Sequence, residues 1–200
     1  MNIFWLSNNN YLNAEYACDQ HIVKMCVEYA QILCTVMRKL GMNHGLMYKS
    51  THENHPCVLW AGRNFSNFYR LYKMLCCYND QYKVRFAKSN NHMSAEKINI
   101  IIADNIIGPT LYIDESLQCI DLFNSNNLIK EAFISGVGEE SISSPMTLPP
   151  MCMPEEYQHP SPSDIQNVIS SYRLYYRHEK VKFARYNYTN TPDWMPFMPI

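Results

Sequence analysis

Three side chains at helical spacing carry the first chemical suggestion of this chain: His21, Lys24 and Glu28, within the run from Cys18 to Glu28. At about 100° per residue they fall on one stripe, with His21 and Glu28 two turns apart. An imidazole, an amine and a carboxylate lining one cleft can move protons at neutral pH. Lys24, if desolvated, could also form a Schiff base. The plainer alternative is a wet stripe, completed by Gln31 and Thr35, that faces solvent. A second cluster lies in Thr51-His52-Glu53-Asn54-His55-Pro56-Cys57-Val58-Leu59-Trp60. Pro56 suits the first turn of a helix and disfavours helical geometry at His55. His52 and His55 therefore belong to a loop that feeds a helix N-terminus. There His55 is expected as a neutral ring able to hydrogen-bond a substrate, or as a loop-packing residue. Cys57 sits where a thiolate nucleophile is conceivable.

The elements that would position these groups follow from periodicity. The first helix is expected over Ala14–Lys39, capped by Asn13 and stopped at Gly41, with Arg38 and Lys39 in the last turn. Cys18, Ile22, Met25, Tyr29, Ile32 and Val36 share its apolar face, widened by Val23, Cys26, Ala30 and Leu33, so the helix should be mostly buried. The segment Met1–Leu6 reads as a buried arm or small strand. A second long helix is expected from Arg63 to about Lys88. A third should run over Ala95–Ile107, capped by Ser94 and ended by Gly108-Pro109. A short helix is expected over Glu115–Phe123 and another over Leu128–Ile134. Residues 135–162 are rich in Pro and Ser and read as one long irregular segment, either functional or mobile. Ser163 should cap a final helix over Asp164–Tyr188, and the tail around Trp194 reads as an aromatic anchor.

The composition narrows the classes. A hydrophobic fraction of 47% in 200 residues is ample for one domain with its own core. A net charge of −1 gives no general pull towards nucleic acid or anionic membrane, so any DNA-binding face must be a local patch. No apolar run reaches the length of a membrane span, and the N-terminus lacks the basic region of a signal peptide. Eight cysteines without a secretory signal point to reduced thiols in a cytoplasm. Cys18, Cys26 and Cys34 stand at eight-residue steps on one helix, roughly 12 Å apart, too far to bridge one another. A metal site could draw on His52, His55 and Cys57, or on Cys18 with His21. Paired CxxC knuckles are absent, however, and Cys76-Cys77 are adjacent, a poor chelating geometry. No metal ligand set and no cofactor is therefore assigned.

Two resemblances appear in the motifs. The opening Met1–Phe4, the Cys18–Glu28 helix, the Thr51–Trp60 loop, Met153–Tyr157, Tyr172–Ala184 and Pro192–Trp194 together resemble a family of largely uncharacterised phage proteins. More distantly, Cys18-Asp19-Gln20-His21…Glu28 and Asn54-His55-Pro56-Cys57-Val58-Leu59-Trp60 are similar to motifs of the pyrimidine-dimer DNA glycosylases of the phage endonuclease V type, small helical proteins. That resemblance implies that Glu28 assists base release and elimination, that His21 belongs to the same cleft, and that the nucleophile is a terminal α-amine. Asn2 is too large for usual methionine removal, so the amine would be that of Met1. Val27 stands where the family carries an arginine.

Taken together, the sequence predicts a mostly α, single compact helical domain with three long helices, several short ones and a long Pro-rich loop. The function expected is that of a DNA-directed glycosylase/AP-lyase acting on a damaged or modified pyrimidine. Its catalytic group would be Glu28, His21, Met1, Lys24 and His55, with Arg63, Arg70, Arg173, Arg177 and Lys180 on one face for double-stranded DNA. Such a protein would work in the cytoplasm of an infected cell. Two other classes stay open. One is a non-enzymatic phage-encoded binding protein with an aromatic and basic surface. The other is a metal-dependent helical enzyme using His21, His52 and His55.

Overall fold

The computed structural model describes residues 1–107, 113–114, 119–122, 124 and 126–196. The fold is mostly helical. Its helices are α1 (Asn10–Glu15), α2 (Asp19–Lys39), α3 (Pro56–Ala61), α4 (Phe65–Arg85), α5 (Met93–Asp104), α6 (Leu128–Val137), α7 (Glu140–Ser143) and α8 (Ile165–Tyr175). Two short strands, β1 (Ile113–Asp114) and β2 (Cys119–Ile120), pair antiparallel with Ile113 opposite Ile120. The helix α2 is central and packs on α3, α4 and α5. One core runs from Ile3 to Met195, and its largest sealed side chains include Trp5, Tyr29, Tyr72, Tyr78, Tyr172 and Tyr176. Of the apolar arc expected of α2, Cys18, Ile22, Met25, Tyr29, Ile32 and Val36 are buried, as are Cys26, Ala30 and Leu33, whereas Val23 is exposed. No described helix is long and apolar enough to cross a membrane.

The expected first helix is in fact two. Asn13 lies inside α1 and does not cap α2; the α2 N-cap is Cys18. Nothing in Tyr16-Ala17-Cys18 breaks a helix by itself, so the interruption has a tertiary cause. The buried Arg85 guanidinium, from the end of α4, donates to the carbonyls of Ala14 (3.1 Å), Glu15 (2.7 Å) and Ala17 (2.7 Å), and to Asp19 Oδ1 (3.2 Å). These bonds satisfy the carbonyls left open at the end of α1 and hold the chain in its bend. At the other end of α2, Gly41 adopts φ +82°, the left-handed geometry in which glycine meets no Cβ penalty.

Asn13 instead anchors the N-terminal arm. Its Oδ1 accepts from Leu6 N (2.6 Å) and Ser7 N (3.1 Å), and its Nδ2 donates to Phe4 O (3.0 Å). Among the described residues the arm Met1–Leu6 has no strand partner, and a buried side-chain amide supplies bonds its backbone would otherwise take from a ladder.

Other boundaries shift for local reasons. His92 rather than Ser94 caps α5, accepting from Ser94 N. The expected stop at Gly108-Pro109 lies outside the described residues, as does most of the helix expected over 115–123; Cys119–Ile120 within it is strand. Residues 135–162 are not wholly irregular: they hold the end of α6, all of α7 and a 3-10 turn over Glu155–Tyr157. The final helix is capped by Asp164, not Ser163, and continues beyond α8 as a π-helical turn over Tyr176–Lys180 rather than to Tyr188. Trp194 packs edge-on against Tyr16 and Tyr176.

The Pro-rich stretch from Ser144 to Met153 is extended and fastened by side chains of α3 and α4 and their junction. Trp60 Nε1 donates to Thr147 O (3.1 Å) and Asn64 Nδ2 to Pro145 O (3.1 Å). Thr147 N donates to Asn67 Oδ1 (2.9 Å), and Ser66 Oγ donates to Ser144 O (2.6 Å). This fastening carries Cys152 across the molecule to the N-terminus.

Candidate functional site

The arm runs antiparallel to α2, so its residues meet α2 in reverse order. Phe4 lies on His21, while Asn2 and Met1 lie on Glu28. The two ends of the expected stripe are thereby separated in character.

Glu28 is 13% exposed at its side chain. Its Oε2 accepts the Asn2 N–H at 2.8 Å and lies 3.9 Å from the α-amine of Met1, a residue that is half-buried overall with its side chain 3% exposed. Lys24 Nζ is 3.4 Å from Glu28 Oε1 but is two-thirds exposed, as an i,i+4 pair on the helix surface allows. Asn2 uses both polar atoms of its side chain. Nδ2 donates to Cys152 O (2.8 Å), and Oδ1 accepts from Ile3 N (2.8 Å) and from the Tyr172 hydroxyl (2.9 Å). That hydroxyl also lies 2.9 Å from Pro150 O and accepts the Cys152 N–H at 3.2 Å. Burial lifts the Tyr172 phenol well above its ordinary pKa, so it stays protonated and can donate. Asn2 thus ties the arm, α2, α8 and the 150–152 segment at one point.

His55 caps α3: its Nδ1 accepts the Cys57 N–H at 3.1 Å. Its pKa is held below the ordinary value by partial burial, then by the nearby α-amine and by His52, with Glu28 acting in the opposite direction. His55 therefore belongs with the amine and Glu28 electrostatically. Beside it, Cys57 Sγ and Cys152 Sγ are 3.5 Å apart. The Cys152 thiol is lowered, chiefly by hydrogen bonding to Cys57, whereas the Cys57 thiol is raised by that bond and by its burial. Cys152, the more exposed sulfur, is the one that gives up a proton first.

His21 occupies a different environment. It is 3% exposed, stacked on Phe4 with ring centroids 4.5 Å apart, and edge-on to Tyr176 and Phe183. Its Nδ1 meets the Tyr176 hydroxyl. Burial, then the charges of Lys180 and Lys24, push its pKa down to about 3, so the ring is neutral at physiological pH. The Tyr176 phenol, kept protonated by burial, donates to Nδ1 and leaves the ring proton on Nε2. The α2 stripe is therefore not uniformly wet: His21 is buried beneath Phe4 of the arm and the Tyr176 turn, and Thr35 is buried where its Oγ1 accepts the Thr51 N–H at 3.3 Å.

The five expected DNA-contacting cations do not share one environment. Arg63 and Arg177 are exposed. Arg70 lies over the Trp5 ring at 5.0 Å and donates to Asn8 O, and burial lowers its pKa to about 10. Arg173 donates to Leu6 O at 2.9 Å and covers Tyr16 and Trp194. Lys180 donates to the Tyr175 hydroxyl at 2.9 Å and lies over the Tyr175 ring. Arg70 and Arg173 are thus tied to the arm and its continuation.

The residues that sequence reasoning did not assign to the site are Asn2, Cys152 and Tyr172, with Phe4 and Tyr176 around His21. Tyr172 and Tyr176 lie inside the Tyr172–Ala184 motif, and Cys152 immediately precedes the Met153–Tyr157 motif, so the motif positions were the available signal. His52, exposed and at φ +50°, stands apart from the His55–Cys57–Cys152 group. No known family model, no characterised protein and no solved structure matches this chain, so both resemblances stand on their motifs alone.

Proposed function

We propose that this chain is a DNA-directed glycosylase/AP-lyase-like enzyme in which the Met1 α-amine is the nucleophile and Glu28 moves the protons. The observation that supports it is the approach of the amine to within 3.9 Å of a carboxylate already oriented by the Asn2 N–H. An α-amine has an intrinsic pKa near 8, so a usable fraction is neutral at pH 7, whereas an ordinary lysine near 10.4 is almost wholly protonated. Lys24 is exposed and paired with Glu28 on the helix surface. The neutral amine attacks C1′ of a deoxyribose as the C1′–N bond to the base breaks and the base leaves with one amine proton; the C1′–O4′ bond then opens, O4′ takes the second proton, and an imine forms. Glu28 then takes the proton from C2′ that permits elimination of the 3′ phosphate.

The electrostatics set the expected mode of binding. Were all five expected cations to neutralise phosphates, log K would fall with log salt at a slope of about −4 to −5; Arg63 and Arg177 alone give about −2. The smaller slope is expected, since Arg70 and Arg173 are engaged with the arm. The test is borohydride trapping on abasic and dimer-containing oligonucleotides, after mass spectrometry has established a free amine on Met1. Peptide mapping should place the reduced adduct on Met1. An adduct on Lys24 overturns the assignment, and no adduct with either DNA removes the lyase reading.

A further inference from the structure

His55, Cys57 and Cys152 form a group that the amine chemistry does not use. Their ligand-capable atoms all lie within 4.8 Å of one another, and among the described residues they are the group of His, Cys and carboxylate side chains so arranged. We propose that these three residues are the protein ligands of a divalent, zinc-type metal ion, with a fourth position open to water.

The geometry fits the ion. Two thiolates bound to zinc at about 2.3 Å with a tetrahedral angle stand about 3.8 Å apart. The Cys57 and Cys152 sulfurs are already 3.5 Å apart, so small movements admit an ion between them. Two thiolates and one imidazole are a donor set that favours zinc over harder cations such as magnesium or calcium. Three protein ligands with an open position are the pattern of metal sites that bind a reactant, whereas structural sites are closed by a fourth. Access is available, because His55 and Cys152 are half-buried while Cys57 is sealed beneath them.

The surroundings hold the ligands in place before the ion arrives. Cys57 lies in the first turn of α3, fixed by Pro56. Cys152 is held on both sides of its backbone: its carbonyl accepts from Asn2 Nδ2 and its N–H donates to the Tyr172 hydroxyl. Binding requires one exchange. The neutral imidazole has one lone pair, which Nδ1 now spends on the Cys57 N–H. In the loaded site that lone pair goes to the ion. The two thiol protons leave to solvent, so uptake should release protons and weaken as pH falls.

Cobalt(II) is a direct probe. The full chain, reduced with a phosphine and stripped with a chelator, should take up one cobalt per molecule. It should then show a thiolate-to-cobalt charge-transfer band and the intense visible absorption of tetrahedral cobalt, both bleached by one equivalent of zinc. Cys152→Ser, Cys57→Ser and His55→Ala should each lose or strongly reduce the charge-transfer band, while Cys34→Ser and His52→Ala keep it. Cys57 is buried and its variant could misfold, so Cys152→Ser, half-exposed, is the decisive one, with circular dichroism to establish that it is folded. At a hundredfold excess over Kd, zinc should raise the melting temperature of the parent chain by about 5–10 °C and leave folded Cys152→Ser unmoved. A reduced, folded chain that develops no charge-transfer band overturns the proposal, as does a band that survives in Cys152→Ser. These readouts use no DNA, so their failure is separate from failure of the lyase reading.

Discussion

The two ends of the His21–Glu28 stripe share a helix and a face, and both are met by the same six-residue arm. They nevertheless end in opposite states. At His21 the arm contributes Phe4, an aromatic ring that stacks on the imidazole, and α8 continues into the turn that brings Tyr176. The result is a sealed, neutral histidine. At Glu28 the arm contributes polar groups, the Asn2 N–H and the α-amine, and the carboxylate keeps a path to solvent. A pair that reads as one acid–base cleft on a helical wheel is thus divided into a sealed aromatic half and a polar half with access to solvent. What divides it is the chemistry of the residues the arm places opposite each position.

The division makes contrasting predictions, and the largest concerns Glu28. Glu28→Gln keeps an oxygen for the Asn2 N–H but cannot accept a proton, so imine formation and strand cleavage should fall by about 10²–10⁴-fold while the melting temperature changes little. Single-turnover trapping measures the first and calorimetry the second. Retained turnover would show that Glu28 does not move the protons.

Arg85→Met tests the bend that sets where α2 begins. The substitution leaves Asp19 and three carbonyls without their buried donor and should cost about 3–5 kcal/mol in urea unfolding. A cost below 1 kcal/mol would mean that the break between α1 and α2 holds without Arg85.

His21→Phe sharpens the contrast from the other side. It should retain trapping, yet lose about 1–3 kcal/mol at pH 7 because the buried Tyr176 hydroxyl loses its imidazole acceptor. The pH dependence should also change. With a folded pKa near 3 against 6.5 unfolded, the unfolded chain binds the extra proton between those limits. The contribution of His21 is therefore full above about pH 6.5 and is lost as pH falls towards 3, by up to about 1.4 kcal/mol per pH unit. His55 and His92, whose pKa values are also lowered, act in the same direction and remain in the variant. The stability of His21→Phe should decline less steeply with acid than that of the parent, and parallel acid limbs would contradict the assignment of a neutral buried ring.

The smallest effect is expected at Lys24. Its ion pair with Glu28 is an exposed i,i+4 contact, worth about 0.3–0.5 kcal/mol. Lys24→Ala should change stability within that range and leave trapping on Met1 in place. Loss of the adduct would move the nucleophile to this lysine.

The sequence alone determined the helical class, the apolar arc of α2 and the loop that delivers His55 to a helix start. These features depend on periodicity, on Pro56 and on Gly41, which act over a few residues and can be read in order along the chain. It also contained the Glu28 and Met1 candidates, through motif resemblance and the pKa of an α-amine. What the tertiary structure decided has a common origin in long-range polar pairing. Arg85 broke the first helix from 66 residues away, and Asn2 met Cys152 from 150 residues away, a distance no local pattern spans. The same holds for the covering of His21 by Tyr176 and the use of Arg173 on the arm. Each buried donor or acceptor must find a partner, and which partner it finds depends on how the helices pack rather than on their spacing in sequence.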